Sequence, residues 1–566
     1  IAGHSLGHYL SACSRMYVDT GDERFRDRVN YIVAQLAECQ RANGNGYVAA
    51  IPNGKKVFAE IAAGHIEAHD FDLNGLWVPW YTLHKEFAGL IDAYRFCGDP
   101  QALAVATNLA NWAEAVTKNL TPEQWQKMLV CEQGGMNESL AELYALTGNT
   151  NYLNLAEKFY HRAVLDPLAA GRDILNGLHS NMQIPKTISA ARIYELTGDP
   201  KFAAIARNFW DDVVWHRSYV IGGNGDYEHF FPTNQWLQHL NAATCETCCT
   251  YNMLKLTRHL FTWAPSAQEM DFYERALYND ILASQDPETG MFVYFLSLKP
   301  GGFKTFSTPD HSFWCCVGTG MENHARYGDA IYFHGADSLY VNLFIASEVS
   351  WLEKNLTVRQ ETKFPEHDTT QLQFQCPTPT RLALKIRWPA WADNLSVRVN
   401  GRKVKITGQP CSYVTIDRQW HNGDRVDVRL PMKLHVEFLP GTTNIVALLY
   451  GPIVLAGDLG TNDMPADIYA ADQTQFVKWP TPPAPVLVAD NFRSLLRHVH
   501  PTDRPLEFQT RHLGRPTDVR LIPLYKANHL RYTVYWTVLN RAEWKADQVS
   551  PAKAGPADES KTPPAS

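Results

Sequence analysis

Thr197-Gly198-Asp199-Pro200 separates two helical patterns, and this arrangement recurs along the first half of the chain. Glycine suits the left-handed residue that ends a helix, aspartate can cap the next helix, and proline fits its first turn. Related stretches are Thr20-Gly21-Asp22, Cys97-Gly98-Asp99-Pro100 and Thr147-Gly148-Asn149. The four glycines are 77, 50 and 50 residues apart, which indicates a repeated helical hairpin with an insertion in the first interval.

Apolar residues on both sides of these boundaries recur with a helical period, as in Leu83, Phe87, Leu90 and Tyr94. The pattern predicts five hairpins and a further helix that starts near Gly320. The hairpins are expected at roughly 5–42, 81–118, 137–165, 183–215 and 247–283. Five or six helix pairs in series favour a closed (α/α) barrel of six hairpins, with an open solenoid as the alternative.

The sequence pattern changes after about residue 335, where apolar and polar residues begin to alternate with the period of a strand. Asn400-Gly401 and Asn422-Gly423 are tight-turn signals between such runs. The predicted fold is therefore mainly α plus β, with an antiparallel β-sandwich after the barrel. The expected domains are a barrel over 1–335, a β-sandwich over 336–450, a second β-rich segment or sandwich over 451–544, and a disordered Pro/Ala/Ser-rich tail over 545–566.

Length and composition narrow the class of protein. A chain of 566 residues is too long for one hydrophobic core. The net charge of −7 comes without a basic block, which argues against a nucleic-acid partner. The absence of an apolar run of about eighteen residues argues against a membrane span.

The chain opens on Ile1 with neither an initiating Met nor a signal peptide, so we expect a truncated N-terminus. The oligomeric state is not indicated.

Five of the eleven cysteines fall in two short segments, 245–249 and 315–316. Thiolate and carboxylate ligands in a four-coordinate arrangement suit Zn²⁺. Spacing alone slightly favours a four-cysteine site made of Cys245, Cys248, Cys315 and Cys316. The alternative site replaces Cys245 by Glu246, and a third interpretation is that all of these are buried free thiols. Coordination would deprotonate a thiol, so a metal-bound cysteine is also a candidate nucleophile.

A glycine-rich loop over 222–230 carries Asp226 and Glu228 among aromatic neighbours. A carboxyl group in such surroundings is a candidate general acid with a raised pKa, and Glu228 is the first choice. Asp226 competes for this role, and a turn-stabilising acidic pair is the structural alternative.

Several histidines and tryptophans lie where the loops between helices are expected to meet. Polar groups interleaved with aromatic rings suit a sugar pocket, although each residue alone is more typical of a satisfied structural position. The group consists of His4, His8, Trp77, Trp80, His84, His179 and Gln183.

Longer motifs carry a family resemblance that spans nearly the whole chain. Glu246-Thr247-Cys248-Cys249 opens one of them, over 246–258, and Cys315-Cys316 lies in a second, over 313–325. Further matching segments are 3–12, 77–85, 134–138, 176–186 and 531–536. Together they resemble the β-L-arabinofuranosidase glycoside hydrolases of families 127 and 146, with the closer likeness to family 146.

The resemblance implies an (α/α) barrel of six hairpins followed by β-sandwich domains. It implies a Zn²⁺ ion held by Glu246, Cys248, Cys315 and Cys316, which moves one ligand from Cys245 to Glu246. It also implies that Cys315 is the nucleophile and Glu228 the acid/base. The sugar-binding residues that it suggests are His84, His179, His229, Gln183 and Tyr294. The chain departs from the family pattern at Cys249, where an Asn is expected.

The implied activity is that of a retaining, exo-acting β-L-arabinofuranosidase that removes terminal β-L-arabinofuranose from plant glycans. Its partner would be a plant cell-wall or glycoprotein glycan, and its compartment periplasmic or extracellular. Two alternatives use the same residues. In one, the same catalytic residues act on another unusual pectic sugar. In the other, the protein is a non-catalytic glycan-binding protein with a structural zinc.

Overall fold

A computed structural model describes residues 2–549 and contains an α-helical barrel followed by two β-sheet domains. In this part of the chain no helix combines the length and apolarity needed to cross a bilayer. Short 3₁₀ or π-helical turns add to the α-helices at six places between Trp236 and Lys526. The α-helices of residues 2–549 are α1 His4–Thr20, α2 Glu23–Asn43, α3 Gly54–Ala62, α4 Pro79–Cys97, α5 Pro100–Thr117, α6 Pro122–Met128, α7 Met136–Thr147, α8 Thr150–Lys158, α9 Arg162–Ala169, α10 Ser180–Thr197, α11 Pro200–His216, α12 Thr247–Trp263, α13 Ala267–Ala276, α14 Cys315–Asn323, α15 Phe492–Arg497 and α16 Arg541–Val549.

The β-strands begin as isolated short pairs within the barrel and become continuous after it. They are β1 Asp72–Leu73, β2 Leu76–Trp77, β3 Phe306–Ser307, β4 Tyr332–His334, β5 Ser338–Val341, β6 Ser347–Trp351, β7 Leu356–Thr362, β8 Thr369–Gln375, β9 Thr380–Trp388, β10 Ser396–Val399, β11 Arg402–Lys403, β12 Ser412–Trp420, β13 Arg425–Arg429, β14 Leu434–Phe438, β15 Ile445–Tyr450, β16 Ile453–Asp458, β17 Tyr469–Ala470, β18 Val486–Val488, β19 Val499–Pro501, β20 Phe508–Thr510, β21 Gly514–Arg515, β22 Arg520–Pro523, β23 Tyr532–Thr533 and β24 Tyr535–Leu539.

Six helices form a closed inner ring in which each contacts the next, in the order α1, α4, α7, α10, α12 and α14. The first five are each followed by an outer helix, so the five predicted hairpins are present. The predicted start of the last inner helix near Gly320 is wrong, since α14 begins at Cys315 after an extended Trp314. Both thiols of the Cys315-Cys316 pair therefore lie in the first turn of a helix.

The glycines at the helix boundaries have the predicted conformation. Gly21, Gly98, Gly148 and Gly198 have φ angles of 69°, 70°, 71° and 73°, and each amide donates to the carbonyl four residues earlier. The next residue in each case caps the following helix, as Asp199 does by accepting from the amide of Lys201. Each boundary thus satisfies the unpaired backbone groups of two helix ends with only two residues.

Two sheets pack face to face after the barrel. The first has the strand order β11-β10-β13-β8-β7-β6, and the second has the order β12-β9-β5-β4. All pairs are antiparallel except β5 with β9. Phe374 of the first sheet stacks on Trp420 of the second with ring centroids 4.1 Å apart, which joins the sheets in the core.

The third sheet has ten strands, in the order β19-β20-β22-β16-β15-β24-β18-β21, with β14 on β15 and β23 on β16. Because β14 pairs with β15, the third sheet begins with β14. The boundary between the two β-sheet domains therefore lies between β13 and β14, and the β14–β15 hairpin comes before the predicted boundary at 450. The tail predicted from 545 also differs, since α16 continues to Val549. Asn540 caps this helix by accepting from the amides of Ala542 and Glu543, and the remaining residues of that prediction lie outside the described ones.

Arg387 of β9 joins the sandwich to the barrel. Its side chain is fully buried and pairs with Glu274, 2.5 Å away, and with Asp271, both on α13. Its Nε–H also donates to the carbonyl of Asn342 at 2.6 Å. A buried ion pair adds little net stability, but removal of one partner leaves the other charges uncompensated.

We therefore expect Arg387→Ala to lower the free energy of unfolding by about 3–5 kcal/mol, because the buried Glu274 and the partly buried Asp271 lose their cation. Chemical denaturation followed by circular dichroism measures this change. The matched control is Arg381→Ala on the same strand, where the pair with Asp417 is exposed and should contribute less than about 1 kcal/mol. Equal effects of the two substitutions would contradict this account.

Candidate active site

A cluster of three thiols and one carboxylate lies where α12 and α14 begin. The ligand atoms of Glu246, Cys248, Cys315 and Cys316 all lie within 4.8 Å of one another. The Cys248 and Cys316 sulfur atoms are 3.2 Å apart, and Glu246 Oε1 lies 3.7 Å from the Cys315 sulfur. Three of the four side chains are buried, and Cys315 is partly accessible. The donor set of one carboxylate and three thiols fits Zn²⁺.

The two helix starts explain why these residues converge. Glu246 is the residue that precedes α12, and Cys248 lies in its first turn, as Cys315 and Cys316 do in α14. Backbone amides and the positive end of the helix dipole favour thiolates at such positions. Hydrogen bonds from Cys248 and Cys316 hold the pKa of Cys315 well below its ordinary value, with a further contribution from Tyr294.

Cys245 and Cys249 lie outside the cluster of four. Cys245 has a left-handed backbone with φ 55°, and its side chain packs against Gly223 in a different apolar cluster. The slight preference for Cys245 on spacing alone is therefore wrong, because the left-handed residue turns its thiol away from Cys248. Cys249 is buried behind the cluster, and its thiol donates to Glu246 Oε2 at 3.6 Å.

Glu228 is presented by a tight turn of the glycine-rich loop. The backbones of Asp226 and His229 pair in both directions across this turn, at 3.0 Å each. Tyr227 and Glu228, the two residues inside this turn, have φ angles of 44° and 67°. Residues other than glycine adopt this left-handed region only at an energetic cost. The amide of Ser180 donates to the Glu228 carbonyl at 2.7 Å, which fixes the turn against the start of α10.

The structure distinguishes the two carboxylates of this loop. Asp226 accepts from Asn241 at 2.5 Å and contacts His239 Nδ1 at 2.6 Å, so it stabilises the loop itself. Glu228 instead faces His179, whose Nε2 is 3.7 Å from Oε2, and accepts a hydrogen bond from the Tyr294 hydroxyl.

The pKa of Glu228 differs from the prediction of a raised value. Burial acts to raise the pKa, but contacts with His179 and Tyr294 outweigh it and lower the pKa below its ordinary range. Burial acts to lower the pKa of His179, but the hydrogen bond and the charge of Glu228 outweigh it. The pKa of His179 is therefore raised above its ordinary value. The two groups thus form an ion pair beside the thiol cluster.

Tyr294 connects Glu228 to the thiol cluster. Its hydroxyl oxygen lies 3.5 Å from the Cys315 sulfur and hydrogen-bonds Glu228 on the other side. The carboxylate oxygens of Glu228 and Glu246 also lie within 4.8 Å of one another. A thiol and a carboxyl group, 87 positions apart in the chain, therefore face the same small volume.

These groups line a cleft of about 430 Å³, within the size range of small-ligand sites. Trp77 of β2 and Tyr81 of α4 lie on either side of the N-terminus of α4, and His179 and Asn181 lie on either side of the first residue of α10. The remaining lining residues are Phe71, Glu132, Glu228, Glu246, Tyr294, Phe313, Trp314, Cys315 and Gln473.

The predicted sugar-binding residues divide into two groups. His179 and Tyr294 line the cleft, and His229 packs edge-on against His179 with ring centroids 5.3 Å apart. His84 does not line the cleft, since its Nδ1 accepts from the amide of Gly135 at 3.0 Å. Gln183 is also outside the lining, because its amide bonds Lys186 and the carbonyl of His179. Sugar contact by these five residues stays a prediction.

The two N-terminal histidines have structural partners. His4 Nε2 is 3.1 Å from the carbonyl of Trp314, directly before the thiol pair. His8 Nδ1 is 2.5 Å from Glu322 on α14. Both support the helix that carries Cys315, which agrees with the structural alternative for single members of the predicted group.

The sequence interpretation did not single out several of the cleft residues, among them Glu132 and Gln473. Glu132 is buried two residues before Gly134, and burial raises its pKa to about 7, with Cys315 adding to the rise and His179 opposing it. Its place beside a glycine motif was the available signal. Gln473 comes from the third sheet domain, and its surroundings in the sequence carry no catalytic pattern.

Comparison with known proteins agrees with this architecture. Residues 1–329 match the GH127 catalytic domain of the β-L-arabinofuranosidase family. The chain belongs to glycoside hydrolase family GH127. Residues 338–432 match the GH127 middle domain, and residues 435–538 match a domain of unknown function. The protein is therefore a glycoside hydrolase, and its closer likeness to family 146 stays a prediction.

Relatives of known activity or structure extend the match over most of the chain. A non-reducing end β-L-arabinofuranosidase of Bifidobacterium longum subsp. longum is 22% identical over 518 residues, which cover 79% of this chain and 76% of that protein. The structure of a GH127 β-L-arabinofuranosidase from Geobacillus stearothermophilus T6 is similar, with a TM-score of 0.70 and 19% identity over 95% of this chain and 91% of its own. A second glycoside hydrolase structure has a TM-score of 0.73 and 18% identity, over 94% of this chain and 92% of its own. At these identities the structures establish the fold.

The GH127 thiol cluster allows a test of Cys315. In metal-free protein at about pH 6.5, we expect iodoacetamide to modify Cys315 before Cys411, because only thiolates react readily. Cys411 is the more exposed of the two, but burial of its sulfur and the nearby Asp271 raise its pKa to about 11. Peptide mass spectrometry over a time course measures the order. Faster modification of Cys411 would show that exposure, and not thiolate character, controls the reaction.

Proposed function

We propose that this GH127 protein is a retaining, exo-acting β-L-arabinofuranosidase, with Cys315 as nucleophile and Glu228 as acid/base. The observation that carries the proposal is the Tyr294 hydroxyl, which contacts the Cys315 sulfur and the Glu228 carboxylate together in one cleft. Retaining glycosidases need two such groups close enough to act on one anomeric carbon. Family membership and the β-L-arabinofuranosidase activity of the Bifidobacterium relative support the choice of sugar.

Zn²⁺ is the metal that the four clustered residues fit best. Glu246, Cys248, Cys315 and Cys316 would hold it, since their ligand atoms lie within 4.8 Å of one another and three of the four side chains are buried. When bound, the ion would keep the thiols deprotonated and fix the position of Cys315. Cys249, whose thiol donates to Glu246, would orient that carboxylate from behind.

In the first step, the Cys315 thiolate attacks the anomeric carbon of the terminal sugar. A carbon–sulfur bond forms while the glycosidic carbon–oxygen bond breaks, and Glu228 donates its proton to the departing oxygen. Glu228 must be protonated at this point. A bound sugar excludes water from the carboxyl group, and the Cys315 thiolate next to it also raises its pKa.

In the second step, Glu228 acts as the base. It accepts a proton from a water molecule, the oxygen of which attacks the anomeric carbon and displaces the Cys315 thiolate. His179 and Tyr294 hold the Glu228 carboxylate in place through both steps. Two displacements at one carbon give a product with the configuration of the substrate.

The substrate proposed is the terminal β-L-arabinofuranose of a plant cell-wall or glycoprotein glycan, met in the periplasm or outside the cell. The alternative of a non-catalytic glycan-binding protein is set aside, because the chain is a glycoside hydrolase. Activity on another pectic sugar would appear in a screen of aryl glycosides.

Proton NMR of the first-formed product tests the double displacement. We expect the β-anomer to appear first and to mutarotate later, because two inversions restore the original configuration. An initial α-anomer would exclude a covalent intermediate on Cys315.

Substitutions separate the proposed roles. Cys315→Ser and Glu228→Gln should each lower kcat by at least about 10³-fold, since each removes a group that acts on the reacting bonds. The matched control for Glu228→Gln is Asp226→Asn in the same loop, which should act mainly through stability. Full activity of Cys315→Ser, with the fold verified by circular dichroism, would refute its role.

Metal analysis tests the ligand set. The purified protein should contain about one zinc per chain, and Cys248→Ser or Glu246→Ala should lose it, because four ligands of this chemistry hold structural or catalytic zinc tightly. The control Cys245→Ser should retain the metal, since Cys245 faces another cluster. Loss of zinc from both the Cys245 and the Cys248 variants, with zinc retained by Glu246→Ala, would restore the four-cysteine alternative.

A further inference from the structure

One lining residue of the GH127 cleft comes from the domain of unknown function. Gln473 lies in the segment 463–481, which contains β17 and connects β16 to β18, and it lines the same cleft as Glu228 and Cys315. Val477 of this segment packs against the apolar cluster that contains Cys248 and Tyr294. The third sheet domain therefore reaches the catalytic residues through this segment, which we call the cleft segment.

The barrel holds the first part of the cleft segment. Tyr469 and Ala470 of β17 pair in parallel with Phe306 and Ser307 of β3. The Trp314 indole N–H donates to the carbonyl of Ala471 at 2.8 Å. Ala471, which accepts this bond, lies two residues before Gln473. Trp314, which donates it, directly precedes Cys315.

Arg531 holds both ends of the segment. Its guanidinium is fully buried and donates to the carbonyls of Asn462 and Asp463 at one end and of Pro480, at 3.1 Å, at the other. It also donates to the carbonyl of Gly301 in the barrel at 2.9 Å. One guanidinium thus binds four carbonyl groups, from the two ends of the cleft segment and from the barrel. These charge-assisted hydrogen bonds hold the segment against the barrel as one wall of the cleft.

The Gln473 side chain is available to a ligand. It is partly buried at the cleft, and within residues 2–549 it has no hydrogen-bond partner. A primary amide offers two donors and one acceptor, which is the set that sugar hydroxyls can satisfy. Gln475, two residues on, is exposed and does not line the cleft.

Two aromatic rings at the cleft are unusually exposed. Trp77 is 51% exposed and Phe313 is 56% exposed, although both belong to the lining. Phe71 stacks on Trp77 with centroids 5.3 Å apart, which keeps the indole in place. Rigid aromatic faces that remain in contact with water are suited to stacking against a ligand.

We propose that the cleft segment, with Trp77 and Phe313, forms the subsite for the leaving group, and that Gln473 hydrogen-bonds the sugar to which the terminal arabinofuranose is attached. The proposal rests on the proposed function, since it assumes that the terminal sugar occupies the space beside Cys315 and Glu228. It assigns the selection of the aglycone to the domain of unknown function.

The chemistry of the lining specifies a neutral sugar. The described lining contains three carboxyl groups, Glu132, Glu228 and Glu246, and no Lys or Arg. An acidic sugar would be repelled by these carboxylates, and the His179 imidazolium in the same lining is already paired with Glu228. A neutral ring satisfies the amide of Gln473 and the two aromatic faces at once.

The test compares two substrates that share the terminal residue. One is methyl β-L-arabinofuranoside, and the other is a disaccharide in which β-L-arabinofuranose is attached to a second neutral pentose. We expect Gln473→Ala to lower kcat/KM for the disaccharide about tenfold and for the methyl glycoside less than about twofold, because only the disaccharide reaches the amide. The control Gln475→Ala should change neither value.

A binding measurement keeps this inference separate from the proposed function. Calorimetric titration of the neutral product, which lacks the terminal arabinofuranose, should show about tenfold weaker binding to Gln473→Ala than to Gln475→Ala. If the parent hydrolyses neither arabinofuranoside, the proposed function fails, and the titration still decides the subsite. Equal loss of activity on both substrates, equal binding by both variants, or tighter binding of a uronic-acid analogue than of the neutral product would each overturn the inference.

Discussion

The site depends on one constraint, namely that the inner helices of the barrel all begin at the same end. Helices joined in hairpins alternate in direction, so the inner members run parallel to one another. The starts of four of these helices, together with the residues just before them, therefore supply Trp77 and Tyr81, His179 and Asn181, Glu246, and Cys315 to one cleft. Exposed amides and positive dipole ends accumulate there, and thiolates and carboxylates are the groups that such an end stabilises.

Much of this arrangement could be predicted from the sequence, because it is encoded locally. Each glycine boundary, such as Gly198 with Asp199, specifies a helix end and the next helix start within two residues. The clustering of Cys248, Cys315 and Cys316 also followed from ligand chemistry. The choice between Cys245 and Glu246 did not, because it depends on the left-handed backbone of Cys245, which spacing alone does not reveal. Family resemblance supplied that choice.

Long-range features could not be predicted from local patterns. The pKa of Glu228 is set by His179 and Tyr294, which are distant in sequence, and a rule based on burial alone gave the opposite direction. Arg387 looks like any alternating strand residue, yet it is buried against two carboxylates of α13. Gln473 lies in a polar loop with no motif, and only the fold brings it to the cleft. The first depends on contacts between distant segments of the barrel, and the other two depend on contacts between domains.

The closeness of Cys248 and Cys316 has a consequence for handling the protein. Their sulfur atoms are 3.2 Å apart, and a disulfide needs about 2.05 Å, so little movement separates two free thiols from a covalent bond. An oxidant and a metal ion thus compete for the same pair of sulfur atoms. Metal coordination would protect the two thiolates. In the metal-free protein, air oxidation to a disulfide would remove two metal ligands at once. Chelation under aerobic conditions would then be hard to reverse by adding metal, unless a reductant is supplied as well.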